Sequence, residues 1–218
     1  MSRTLTTCGS MLAALSVFAS SANANIRITE AMSSSNGNGS ATPDWIEVTN
    51  FGSSAVSLAN WRMDDSSFSF GVSVALNGVT TINAGESVIF IESAAGKAIA
   101  GFRNFWGGLG GVQVGFYSGS GVGLSSGGDG VGLFDASNAL VTQVSFGAAT
   151  SGSSFFYGWT ESGTLDPAYN GIVSTVGTIG SQVTVSANGD TASIGSAIPA
   201  PGVLALLGLA GLVGRRRR

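Results

Sequence analysis

The side chains here best suited to acid–base or metal chemistry are carboxylates. The 218 residues include twelve Asp and Glu, nine Lys and Arg, one Cys and no His. Without histidine there is no Ser-His-Asp or Cys-His relay and no His-ligated zinc. Asp64 and Asp65 are adjacent, so on a strand they point to opposite faces, whereas a glycosidase pair must flank one cleft. They read as a solvated turn. Glu30, Asp44 and Glu47 lie at the ends of strand-like runs, where carboxylates accept hydrogen bonds from turn amides. A structural role is the expected one. The alternative is a calcium site, which needs several oxygens converging, and these three are the metal candidates. The glycine-dense stretch 107–130 lacks a Gly-Lys-Ser/Thr ending and a following helix, so it makes no phosphate cradle. Lys97, the one lysine, forms no Ser-Lys dyad pattern. No catalytic residue and no cofactor are expected.

The elements that must carry these acids are short strands. Charged residues are 10% of the chain, against about 25% in ordinary soluble proteins. One lysine cannot furnish the exposed faces of many amphipathic helices. Gly, Ser, Thr, Asn, Val and Phe favour strands and turns. In 45–51, Ile46 and Val48 share one face and Trp45, Glu47 and Thr49 the other. Val88-Ile89-Phe90-Ile91 is apolar on both faces and reads as a central strand covered on both sides. Residues 131–135 and 139–147 flank Asp135-Ala136-Ser137-Asn138 as a hairpin. Strands are expected at 155–160 and 181–187, with a loop at 161–171. Residues 93–105 are the one credible helix, weakened by Gly96 and Gly101. This pattern predicts an all-β sandwich over residues 25–197.

Both ends read as addresses. Residues 1–24 carry Arg3, an apolar run from Met11 to Ala19, and Ala22-x-Ala24, the order of a secretory signal cut before Asn25. Cleavage would remove Cys8, so the mature body has no disulfide. The C-terminus holds Pro199-Ala200-Pro201, an apolar run of about 13 residues, then Arg215, Arg216, Arg217 and Arg218. As a helix the run spans about 20 Å, short of the roughly 30 Å hydrocarbon core. It reaches across if the membrane thins or the arginines snorkel, and the positive-inside rule keeps them cytoplasmic. The body between the ends keeps Arg27, Arg62, Lys97 and Arg103 against all twelve acids, a net charge of −8. Four scattered cations exclude a nucleic-acid surface.

Residues 198–218 resemble the PEP-CTERM sorting signal of Gram-negative bacteria: Pro-x-Pro, a short apolar helix and an arginine cluster. Ala200 departs from the usual Glu, which bears on which sorting enzyme reads the tail. The resemblance implies signal peptidase and an exosortase-type enzyme as partners, transient membrane attachment, and delivery to the surface or matrix.

The body resembles the lamin-tail domain, an immunoglobulin-like sandwich. The landmarks are Ile26-Arg27-Ile28-Thr29-Glu30-Ala31, Asp44-Trp45-Ile46-Glu47-Val48-Thr49-Asn50, Val56-Ser57-Leu58-Ala59-Asn60-Trp61, Ile82-Asn83-Ala84-Gly85-Glu86, and 128–135. Trp45 and Trp61 are expected to close one core, and Asn50 to form a turn. The resemblance implies a lamin-tail-like sandwich with a short helix near 93–105 and a C-terminal apolar helix. It implies a non-catalytic surface or matrix module. The alternatives are a glycan- or calcium-dependent binder of exopolysaccharide, using Phe102, Phe105, Trp106, Phe116 and Tyr117, and a carboxylate-only hydrolase.

Overall fold

The computed structural model describes residues 25–37, 42–160, 162–175 and 184–195. The secretory signal, Pro199–Pro201, the expected apolar helix and the terminal arginines lie outside them. Among the described residues fourteen strands and one α-helix follow in chain order. They are β1 (Ile26–Met32), β2 (Trp45–Asn50), β3 (Val56–Ser57), β4 (Arg62–Asp64), β5 (Val74–Ala75), β6 (Thr81–Ile82) and β7 (Ser87–Glu92), then α1 (Ile99–Phe105). After the helix come β8 (Gln113–Tyr117), β9 (Asp129–Phe134), β10 (Leu140–Phe146), β11 (Phe155–Trp159), β12 (Leu165–Val173), β13 (Thr184–Val185) and β14 (Thr191–Ala192).

Two sheets make the sandwich. One has six strands in the order β12-β11-β1-β2-β7-β8, the other four in the order β10-β9-β4-β5. Short pairs, β13-β14 and β3-β6, accompany them. The alternation seen in the sequence fills the space between the sheets. Ile26, Ile28, Ile46, Val48, Val88 and Phe90 pack with Met63, Val131, Leu133 and Val144 of the second sheet. Each such side chain contributes about 1.5–3 kcal/mol through burial.

β7 is covered on both faces, as its sequence predicts. Ile89 and Ile91 face away from the first core into a second, under Phe102, Phe105 and Trp106. β7 and β8 are parallel, so they require a crossover, and 93–112 supplies it with α1. The helix is shorter than expected. A 3₁₀ turn occupies Ala94–Gly96, and α1 begins only at Ile99. Two successive positive φ angles are the reason, at Ala95 (+54°) and Gly96. Gly96 has φ +70°, and a Cβ there would lie 2.9 Å from Cδ1 of Phe116.

Other expectations need correcting. Trp61 joins the inter-sheet core, but Trp45 joins the second, edge-on to Phe102 at 6.3 Å and Trp106 at 5.9 Å. Trp45 shares a strand face with Glu47 and opposes Ile91, so the pleat sends it there. The expected loop at 161–171 holds most of β12. This strand edges its sheet, is partly exposed on both faces and contains Pro167. It therefore lacks the alternation that marks a half-buried strand, and an edge tolerates proline. Of the last expected strand, 181–187, the described residues hold Thr184–Val185, paired with β14, and 181–183 lie outside them. Asp64 is fully buried rather than solvated, and its Oδ2 accepts bonds from the Ser67 hydroxyl at 2.5 Å and the Ser69 amide at 2.7 Å.

Candidate functional site

β1 and β2 pair antiparallel, with Ile28 opposite Val48 and Glu30 opposite Glu47. The register shifts between these pairs, so Thr29 is the extra residue of a β-bulge. The bulge puts a hydroxyl beside the carboxylates. Thr29 Oγ1 donates to Glu47 Oε1 at 2.6 Å and lies 2.9 Å from Thr49 Oγ1, which lies 2.7 Å from Ser87 Oγ. Glu30 is 0% exposed and Glu47 1%.

Two neighbouring buried carboxylates need donors, and these come from the far end of the chain. Glu30 accepts from the Ser154 and Ser174 hydroxyls and from both the amide and hydroxyl of Ser193. Glu47 Oε2 accepts from the Gly195 amide at 2.6 Å. The segment that brings Ser193 and Gly195 is itself tied down. The Ala187 amide donates to the Phe105 carbonyl at 2.9 Å, and the Thr191 amide to the Gly152 carbonyl at 2.7 Å. Buried Asp190 accepts from the Ser35 hydroxyl and the Asn36 amide. Ala192 and Ile194 pack into the second core.

Burial is the main force on both acids. It pushes Glu30 up to about 8, helped by the charge of Glu47 and opposed by the Ser154 and Ser193 bonds. It pushes Glu47 up to about 7, opposed by Thr29 and Gly195. Like charges this close resist ionising together, so the pair retains a proton near neutrality.

The third metal candidate lies elsewhere. Asp44 precedes β2, its carbonyl accepting from the Glu92 amide at 2.8 Å. Burial, then the charges of Glu92 and Asp129, push Asp44 up to about 7. Tyr117 feels the same three acids, and its buried hydroxyl has no hydrogen-bond partner among the described residues. Among the described residues no three acidic, histidine or cysteine side chains converge to hold a metal ion. Thus Glu30 and Glu47 come together and Asp44 does not join them.

The expected turn bonds of the acids come instead from residues 124 to 163 positions away for Glu30, and 148 for the Gly195 amide on Glu47. No local motif could have named Ser154, Ser174, Ser193 or Gly195. Asn50 behaves as read: its Oδ1 accepts from the Gly52 amide at 2.9 Å, and its Nδ2 donates to the Ser54 carbonyl at 2.8 Å. The aromatic residues considered for sugar stacking are mostly enclosed, with Phe102 and Tyr117 at 0% exposure, Trp106 at 2% and Phe105 at 9%. Phe116 is half-buried.

No curated protein matches the chain. Residues 19–148 match the family model described as Lamin Tail Domain, more than half of the chain. That match, on the two-sheet frame described above, places the chain in the lamin tail domain family.

Proposed function

We propose that this protein is an exported, non-catalytic structural or interaction module of the cell surface or extracellular matrix. The supporting observation is the state of its acid pair. Glu30 and Glu47 are sealed from solvent and bonded to the chain's own hydroxyls and amides. A hydrolase needs its carboxylates open to substrate and water. Here they fasten the C-terminal segment to the six-stranded sheet.

Export rests on the two ends. Ala22 and Ala24 define a signal-peptidase cut, and Pro199-Ala200-Pro201 with Arg215–Arg218 define the PEP-CTERM-like tail. In this reading an exosortase-type enzyme handles the tail after the body has crossed. The described body ends at Gly195, three residues before the tail begins. Among the described residues no helix is long and apolar enough to cross a membrane. In this reading membrane contact belongs to the tail, through its apolar run and arginines.

Fractionation of the tagged full-length chain, with mass spectrometry of both termini, tests this. The expected result is a new N-terminus at Asn25 and a body outside the cytoplasm. Both ends intact in the cytoplasm would overturn the export claim. Turnover of polysaccharide, ester or nucleic acid that disappears on mutating one acid would overturn the non-catalytic one.

A further inference from the structure

Arg27 lies on β1, three residues before Glu30, opposite Thr49. It is 9% exposed, and burial lowers its pKa. Nη1 donates to the Ile26 carbonyl at 2.8 Å, and the guanidinium lies 5.1 Å from the ring centre of Trp159. The Trp159 Nε1 donates to the Ile28 carbonyl at 2.8 Å, which fixes the ring beneath it. Gly163, at φ +78°, leaves the space that Nη2 enters. A guanidinium has five N–H donors, so among the described residues this one is positioned but largely unused.

It opens onto a groove of about 360 Å³. Leu140 and Gln143 of β10 form one wall, Trp159 and Leu165 the other, and among the described residues Arg27 is the only charged one in the lining. Leu140 is 44% exposed. β10 ends its sheet, so among the described residues one edge of it pairs with no strand. The Tyr157 hydroxyl donates to the Ser145 carbonyl at 3.2 Å, which shows that Ser145 turns its backbone away from β9. By the two-residue repeat, Gln143 turns its N–H and C=O the same way. Neither has a backbone partner beyond β9 among the described residues.

We propose that this groove docks an extended acidic peptide, whose carboxylate pairs with the Arg27 guanidinium while its backbone adds to the free edge of β10. Carboxylate and guanidinium meet through paired hydrogen bonds, and strand addition supplies main-chain bonds. The ring of Trp159 is occupied by Arg27, which leaves it little face for a sugar. The acidity of the body is screened beyond about 8 Å at physiological salt. The inference holds wherever the chain resides.

The test uses the full-length chain and a fluorescein-labelled hexapeptide of alternating threonine and valine with one central aspartate. Fluorescence anisotropy reads binding. The aspartate peptide should bind about tenfold or more tightly than its asparagine twin. Arg27→Gln should erase that difference while leaving the urea midpoint nearly unchanged. N-methylation of alternate peptide amides should weaken binding to the wild-type chain. Equal affinity for both peptides, or an undiminished difference in Arg27→Gln, would overturn the proposal. So would a methylated peptide that binds as tightly. An acidic oligogalacturonate outcompeting the aspartate peptide would give the groove to glycans instead.

Discussion

Arg27 and Glu30 sit three residues apart on β1, both nearly removed from solvent, and the chain treats them in opposite ways. Around Glu30 it gathers hydroxyls and an amide from 124 to 163 residues downstream until the carboxylate is satisfied. Around Arg27 it supplies one carbonyl and one ring, and leaves the other donors facing a groove. A buried charge costs several kcal/mol unless it is paired or neutralised. Glu30 meets that cost with donors and a retained proton, as a structural group should. Arg27 keeps its charge beside an open edge, where a ligand can complete it.

The comparison breaks most readily at Glu30. Glu30→Ala strands the Ser154, Ser174 and Ser193 donors and should cost about 3 kcal/mol in urea unfolding. A loss below about 1 kcal/mol would mean that the pair is not holding the C-terminal segment.

The pH dependence has a definite sign. Folded Glu30, Glu47 and Asp44 all bind their protons more tightly than in the unfolded chain. Their stabilisation is therefore complete below about pH 4, the unfolded value, and is lost as pH rises through 7 to 8. Unfolding free energy should fall by roughly 2 kcal/mol or more between pH 5 and 9. Glu47→Gln removes one of the facing charges and should flatten that slope. A wild-type curve that rises over this range would reverse the assignment.

Smaller effects sharpen the same contrast. Ser193→Ala deletes one hydroxyl bond to Glu30, costing about 1 kcal/mol, and should speed amide exchange at Ser193 and Gly195 more than in β7. Arg27→Gln should shift stability by about 0.5 kcal/mol at most, because the guanidinium has so few partners to lose. If Arg27→Gln were as damaging as Glu30→Ala, the two positions would not differ in kind.

The strands that alternate were legible in the sequence because one face of each meets a core. β2 and the β9-β10 hairpin follow directly from that rule, and β7 was legible instead by its unbroken apolar run, covered on both faces. Asn50 was legible because its bonds are local. β12 was hidden, since an edge strand exposed on both faces carries no period. Trp45 was assigned to the wrong core, because its size says that it is buried but not on which side of the sheet. Glu30 and Glu47 were named from type and position. Their meaning was not readable, because it depends on a segment nearly 150 residues away and on a one-residue bulge. Arg27 was counted only as a cation, since neither Trp159 nor Gly163 is near it in sequence.

Carboxyl ¹³C NMR titration of the glutamate-labelled chain tests the central claim most directly. Glu30 and Glu47 should titrate as a coupled pair well above the ordinary glutamate range, still holding at least one proton above pH 6. Titration of both near pH 4, each independent of the other, would contradict it.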